Sequence, residues 1–264
     1  MNEYLNKHQQ MAVLALRNLK DICDRYNIEF YLLAGSALGA VRHKGFIPWD
    51  DDIDIGLKYD DWHRLSEILS KELEDSNFTY IDNKVNSNYP RMFGKILYEG
   101  QNCIDIFLIA KWTSNVIRGN IHWQIRRTAV EFYKMSIKYK SVFKPNTSKY
   151  GKIRYFITHA IRRFFYLPTN LFCNTGDYIR LARWNEKYFE SKKTGWYINL
   201  YSVYKMKKEM IKEEWVKNPI SIEFEGMQYK TLGNIDEYLT HLYGDYMTPP
   251  PMKDRQGSHE ELFN

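Results

Sequence analysis

The sequence predicts an α+β fold, a sheet of strands flanked by helices, and three observations lead there. Apolar residues recur at three- or four-residue intervals over residues 3 to 26, at Leu5, Met11 or Ala12, Leu16, Leu19 and Cys23. Short aliphatic and aromatic runs then alternate with helical stretches up to about residue 110. Beyond that point the chain turns basic and helical. With 264 residues, 44% of them hydrophobic, there is material for one large domain or a core carrying an insertion, which excludes a disordered tail.

The elements follow in order. The N-terminal pattern is an amphipathic helix that packs on the core. "IEFYLLAG" (28 to 35) reads as a buried strand stopped by Gly35, and "SALGAVRH" (36 to 43) as a helix N-capped by Ser36. Gly35 and Ser36 are thus expected to form a strand-to-helix corner. After Pro48, "DDIDIGL" alternates acidic and aliphatic residues, so Asp52 and Asp54 share one face of a strand, opposite Ile53, Ile55 and Leu57. A helix is expected over 59 to 73, with strands near 78 to 82, 92 to 98 and 103 to 109. In the last of these, "CIDIFLI", Asp105 is the one charged residue of a buried run.

Between Arg118 and Arg163 twelve Lys and Arg stand against a single acid, Glu131, although the whole chain carries a net charge of only +6. Ile121, Ile125 and Ala129, then Ile153, Ile157, Ile161 and Phe165, recur every four residues, which predicts at least two amphipathic basic helices. Trp123, Tyr133, Phe156 and Phe164 fall at helical spacing and are expected in their core. The closing part has a turn or hairpin at "IEFEGMQYKTL" and a short helix at "IDEYLTHLYG". Cys23, Cys103 and Cys173 are odd in number and far apart, which suits a reducing cytoplasm. The polar N-terminus is not expected to be a secretory signal, and no apolar run of about 18 residues predicts a membrane span.

"GFIPWDDDIDIGL" (45 to 57) gathers Asp50, Asp51, Asp52 and Asp54 within apolar surroundings. Acids this close repel, and burying them unpaired is costly, so a cation is expected among them. Residues i and i+2 of a strand leave one face with Cα atoms about 6.5 to 7 Å apart, which lets Asp52 and Asp54 converge on shared ions. Hard divalent cations prefer such carboxylate oxygens together with substrate phosphates, and Asp105 would complete the set. A calcium loop of EF-hand type fails, because Ile55 stands where Gly is required and Asp61 where Glu is expected. The amides at Gly35 and Ser36 propose a phosphate cradle. Arg42, His43 and Lys44 at the far end of that helix, and Lys95 ahead of Asp105, are candidate cationic contacts.

The run "AGSALGAVRHKGFIPWDDDIDIGL" followed by "CIDIF" resembles the LicD family, with fainter likeness at "FGKI" (93 to 96), "FEG" (224 to 226) and "YGDYMTPP" (243 to 250) before His259. The resemblance implies a nucleotidyltransferase-like fold of the polymerase-beta superfamily, a mixed sheet flanked by helices, here with a basic helical insertion. One domain then spans 1 to 264: an N-terminal helix to 27, a catalytic core over 28 to 110, the insertion over 111 to 195 and a closing segment over 196 to 264. It also implies Asp52, Asp54 and Asp105 as metal ligands with Asp50 beside them, Mg²⁺ or Mn²⁺ as cofactor, and Asp105 as a candidate general base. The implied reaction moves phosphocholine or a polyol phosphate from a CDP-alcohol donor to a hydroxyl of a cell-surface or lipid-linked glycan, releasing CMP. Relatives often continue the third acidic strand as Asp-Ile-Phe-Pro-Leu-Asp, whereas this chain reads Asp105-Ile106-Phe107-Leu108-Ile109-Ala110. Two alternatives stay open: nucleotide transfer to a small acceptor with pyrophosphate release, and a non-catalytic scaffold at a membrane surface. The basic segment suits an anionic membrane at its inner face or an anionic glycan carrier. Nucleic acid is the weaker partner, since no recognised binding module is present.

Overall fold

The computed structural model describes residues 3–74, 76–138, 149–202, 204–252 and 255. Helix α1 (Glu3–Arg25) leads to β1 (Tyr31–Leu32), α2 (Ala34–His43), β2 (Ile53–Lys58), α3 (Tyr59–Glu72), β3 (Phe78–Ile81), β4 (Gly94–Tyr98) and β5 (Gln101–Trp112). Next come α4 (Val116–Ser136), α5 (Lys149–Thr169) and α6 (Thr175–Tyr188). The chain closes with β6 (Trp196–Asn199), α7 (Met206–Glu209), β7 (Met210–Lys212), α8 (Glu213–Lys217), β8 (Ile220–Phe224), β9 (Met227–Thr231) and α9 (Ile235–Tyr243). Two compact units result, one of residues 1–114 with 192–264 and one of residues 115–191.

In the first unit the described strands form one mixed sheet in the order β3-β4-β5-β2-β1-β9-β8, with β6 on the C-terminal part of β5 and β7 on β6. β2 runs parallel to β5, and β1 parallel to β9. Ile53, Ile55 and Leu57 of β2 are fully buried beside Ile104, Ile106 and Leu108 of β5. Helix α3 lays Trp62, Leu65 and Leu69 on these strands, and the Trp62 indole donates to the Ile106 carbonyl at 3.2 Å. The expected hairpin is present: β8 and β9 pair across Glu225 and Gly226, both with positive φ, as a two-residue turn matched to strand twist requires.

Three expectations change. The strand read over 28 to 35 shrinks to Tyr31–Leu32, because Ala34 enters the left-handed region (φ 42°) and α2 starts there. Ser36 is therefore not the N-cap: Leu33 holds that position without a side-chain bond, while Ser36 is buried inside the helix. In the second unit, α4 buries His122, Trp123, Arg126, Ala129 and Tyr133, a stripe offset from the expected one, and leaves Ile121 exposed. Tyr133 and Trp123 are core as expected, but Phe156 and Phe164 are exposed, along with Ile157, Ile161 and Phe165. Helical spacing identifies residues that share a face; it does not say that another element covers it.

At one end of β1 the Glu29 carboxylate meets Lys230 at 2.5 Å, Lys58 at 3.1 Å and the Tyr31 hydroxyl. Burial pushes this acid up, yet hydrogen bonds from Lys230, Tyr31 and Lys58 outweigh it and hold the group down at about 2, from an ordinary 4.5. A depressed carboxyl stabilises the fold above its unfolded value and loses that contribution as pH falls toward the folded one. Glu29→Gln is expected to cost about 1 kcal/mol at pH 7, a modest figure because both lysines are partly exposed. The deficit should fade between pH 4.5 and about 2. Urea melts of both proteins across that range check it, and an equal deficit throughout would point to packing instead.

Candidate active site

The parallel pairing of β2 and β5 sets Asp54 opposite Asp105, and the two-residue period brings Asp52 to the same side. One carboxylate oxygen from each of Asp52, Asp54 and Asp105 lies within 4.8 Å of the other two, and Asp50, Asp51 and Asp52 form an adjoining group with the same spacing. Asp52 and Asp105 are each 4% exposed. The expected convergence of the three acids is thus present in the fold.

Lys95 is brought to the same place in a different way from the one expected. It pairs in register with Asp105 across β4 and β5, is 3% exposed, and sets its ammonium 2.5 Å from Asp105 Oδ1. It is neither an edge-guarding lysine nor a free contact for phosphate, but a buried counter-charge. Asn102 joins it without any signal in the sequence: its amide donates to Asp105 Oδ1 at 2.8 Å and to Asp52 Oδ2 at 3.2 Å. Strict alternation would put residues 102 and 105 on opposite faces. The ladder with β4 slips there, pairing Leu97 with Asn102 but Ile96 with Ile104, and this bulge turns Asn102 onto the acidic face. From α1, His8 Nε2 lies 2.7 Å from the Asn102 carbonyl, and Gln9 donates to the Asp50 carbonyl at 2.8 Å.

The start of α2 closes the site. The Gly35 amide donates to the Asp54 carboxylate, and a Cβ at position 35 would stand 2.9 Å from Asp50 Oδ2, so no larger residue fits without displacing an acid. The Ser36 hydroxyl accepts from the Asp54 amide at 2.8 Å, and the Ala34 amide donates to the Tyr238 hydroxyl at 3.1 Å. What this corner does here is hold the acidic strand, with the Ala34 and Gly35 amides already engaged. Burial, then the charges of Asp52, Asp105 and Asp50, push the Asp54 carboxyl well above its ordinary 3.8, against the pull of the Gly35 amide.

Arg42 and His43 sit eight residues and more along α2, about 12 Å down its axis, and do not join the acids. Arg42 donates to the Tyr246 carbonyl at 2.8 Å and to His43 Nε2 at 3.0 Å, and its guanidinium lies 6.0 Å from the Trp49 ring, on which Arg255 also rests at 5.0 Å. Burial and then the neighbouring Arg255 lower the pKa of Arg42, and burial and then Arg42 lower that of His43. Glu225 of the "FEG" turn accepts from the Phe46 amide at 3.0 Å, anchoring the segment that carries Trp49 and Asp50. His259 lies outside the described residues.

Three tyrosines that the sequence did not single out border the acids. Tyr204 and Tyr243, with ring centroids 6.3 Å apart, feel the charge of Asp54 and Asp50, and Tyr238 feels that of Asp54. Burial is the main cause raising the pKa of all three hydroxyls, which keeps them neutral donors at physiological pH.

The donor set suits a hard divalent cation: carboxylate oxygens of Asp52, Asp54 and Asp105, with the Asp50, Asp51 and Asp52 group adjoining, against the buried Lys95 ammonium. Asn102 Oδ1 is buried with no hydrogen-bond partner, a further oxygen without a donor beside the acids.

A model of the LicD/FKTN/FKRP nucleotidyltransferase domain matches residues 27–147. The chain is 25% identical over 268 residues to the lipopolysaccharide cholinephosphotransferase LicD of Haemophilus influenzae, an alignment covering 97% of this chain and 96% of that protein. It is 24% identical over 140 residues to the human ribitol 5-phosphate transferase FKRP, covering 49% of this chain and 27% of FKRP. Against the uncharacterized protein RP689 of Rickettsia prowazekii it is 32% identical over 106 residues, 40% of this chain and 36% of RP689.

Proposed function

The chain belongs to the LicD family, and on that premise we propose that it transfers a phospho-alcohol from a CDP-activated donor to a glycan hydroxyl, with release of CMP. The observation that carries this reading is the meeting of Asp52, Asp54 and Asp105 oxygens within 4.8 Å beside the partnerless Asn102 oxygen. These residues, with Asp50, would hold Mg²⁺ or Mn²⁺, which when bound neutralises the donor diphosphate and acidifies the acceptor hydroxyl. In the reaction the acceptor oxygen bonds to the phosphorus that bears the alcohol, and the bond from that phosphorus to the bridging oxygen breaks. CMP departs with that oxygen. Lys95 and Asn102 both donate to Asp105 Oδ1, leaving this carboxylate one oxygen for a cation, so the hydroxyl proton goes to solvent rather than to Asp105 as base. Gly35 and Ser36 fix Asp54, and the bare Cα of Gly35 leaves room for the Asp50 carboxylate beside it. Arg42 and His43, with Trp49, are assigned to the remote end of the donor. The nucleotidyltransferase-like fold belongs to the same proposal.

Phosphocholine is the first choice of alcohol. The similarity to the cholinephosphotransferase runs through nearly the whole of both chains, and the Tyr204 and Tyr243 rings near Asp50 and Asp54 suit a quaternary ammonium by cation–π attraction. Incubation with Mg²⁺, a glycan acceptor and CDP-choline, CDP-ribitol or CDP-glycerol in turn should give CMP from CDP-choline fastest, and a chelator should stop it. CMP from none of the three, or pyrophosphate from CTP and a small acceptor, would favour the nucleotidyl-transfer alternative.

A further inference from the structure

We infer that α5 and the turn after it form an in-plane anchor that lies on an anionic lipid bilayer. Ile157, Ile161, Phe164, Phe165, Leu171 and Phe172 are all exposed, Phe164 at 72% and Phe172 at 87%, within sixteen residues of one unit. Monomeric soluble surfaces scatter such side chains singly, and a contiguous patch marks an interaction face. The helix is attached to its own unit by the opposite side. Tyr166, half-buried, meets Phe132 of α4 and Tyr178 of α6, with ring centroids 5.6 and 5.9 Å away. At about 100° per residue, Ile157, Ile161, Phe164 and Phe165 fall within roughly one quadrant centred almost opposite Tyr166. Arg162 falls about 110° from the centre of that stripe and Arg163 about 150°, on the polar side of the helix, from which long side chains bend toward phosphates while the rings enter the acyl boundary.

The occupant follows from charge. Residues 149 to 176 carry five Lys and Arg and no acid, which complements anionic headgroups and makes a second copy of the same face repulsive. No helix among the described residues is long and apolar enough to cross a membrane. The helix therefore lies on the bilayer. Lipid binding by this unit stands independently of the chemistry assigned to the acids; its use, meeting an acceptor carried on a lipid, rests on the transferase reading.

Sedimentation of the full chain with vesicles of neutral phosphatidylcholine, or of phosphatidylcholine mixed with phosphatidylglycerol, tests it at low and high salt. Binding to the anionic vesicles is expected, and weak binding to the neutral ones. The pair Arg162→Gln and Arg163→Gln should weaken binding about tenfold and flatten its salt dependence. The pair Phe164→Ser and Phe172→Ser should weaken it about tenfold or more at every salt concentration. All of these residues are solvent-facing or nearly so, so melting temperature and CMP release on a soluble acceptor should not change. Wild-type protein left in the supernatant with anionic vesicles overturns the anchor, as does a lipid-free dimer that the aromatic pair dissolves. Vesicle binding without CMP release would sink the transferase reading and leave the anchor standing.

Discussion

Asp54→Asn is expected to cut CMP release by about a thousandfold or more and, at the same time, to raise the melting temperature of the metal-free protein at pH 7. The two effects share one cause. Burial and the charges of Asp52, Asp105 and Asp50 hold the Asp54 carboxyl well above 3.8, so the folded state binds its proton more tightly than the unfolded chain does. Such a raised group favours folding most below the unfolded value, and that margin is lost as pH rises through the folded value. Asparagine keeps an oxygen for the Gly35 amide but carries no charge to be desolvated. The melting temperatures of the two proteins should therefore diverge as pH rises from about 4 toward neutrality, the variant ending higher, at roughly 2 to 4 °C for each kcal/mol. Added Mg²⁺ should lift the wild type and leave the variant nearly unmoved. A variant that melts lower at every pH, or that keeps its turnover, removes Asp54 from the role given to it.

Lys95→Met should be among the most destabilising single changes in the first unit, by about 3 to 5 kcal/mol. Methionine keeps the aliphatic stem beside Phe93, whose ring lies 5.5 Å from the ammonium, so packing is largely preserved. What disappears is the cation bonded to Asp105 inside a group of acids. The residual charge is then buried without its counter-charge, the Asn102 amide its remaining donor, which costs far more than an exposed pair is worth. Adding Asp105→Asn to the same chain should recover much of the loss, since the unpaired charge goes with its partner. Urea unfolding of the single and double variants measures this. A cost below about 1 kcal/mol for Lys95→Met would mean that water already reaches the pair.

The acids were legible because two simple periods expose them. Asp52 and Asp54 alternate with buried isoleucines, and Asp105 interrupts an apolar run that has nowhere to go but the centre of a sheet. The partners of those acids were not legible, for separate reasons. Asn102 reaches them only through a one-residue slip in the β4–β5 ladder, and such slips leave no mark on alternation. Lys95 read as an edge or substrate lysine because sequence does not state which strand lies beside which; the register with Asp105 does. Gly35 and Ser36 read as a strand-to-helix corner with a cap and a phosphate cradle rather than as residues inside α2, since the left-handed turn at Ala34 that draws them into the helix falls on a residue type that rarely adopts it. Tyr204, Tyr238 and Tyr243 come from the closing segment, where aromatic residues follow no period that points to the acids. On α5 the spacing was right and the burial wrong, for a period cannot say whether anything rests on the stripe it draws.

The pairing of β2 with β5 also fixes an order of events during synthesis. The acidic run at 50 to 54 leaves the ribosome some forty residues before Lys95 and fifty before Asp105, and in that interval β1 is available to pair with β2 but the lysine that neutralises the acids is not. The β4–β5 hairpin is a local structure that can form first, already carrying its ammonium bonded to its carboxylate. Docking of that preassembled hairpin against β2 then brings the positive charge and the third acid to Asp52 and Asp54 in one step.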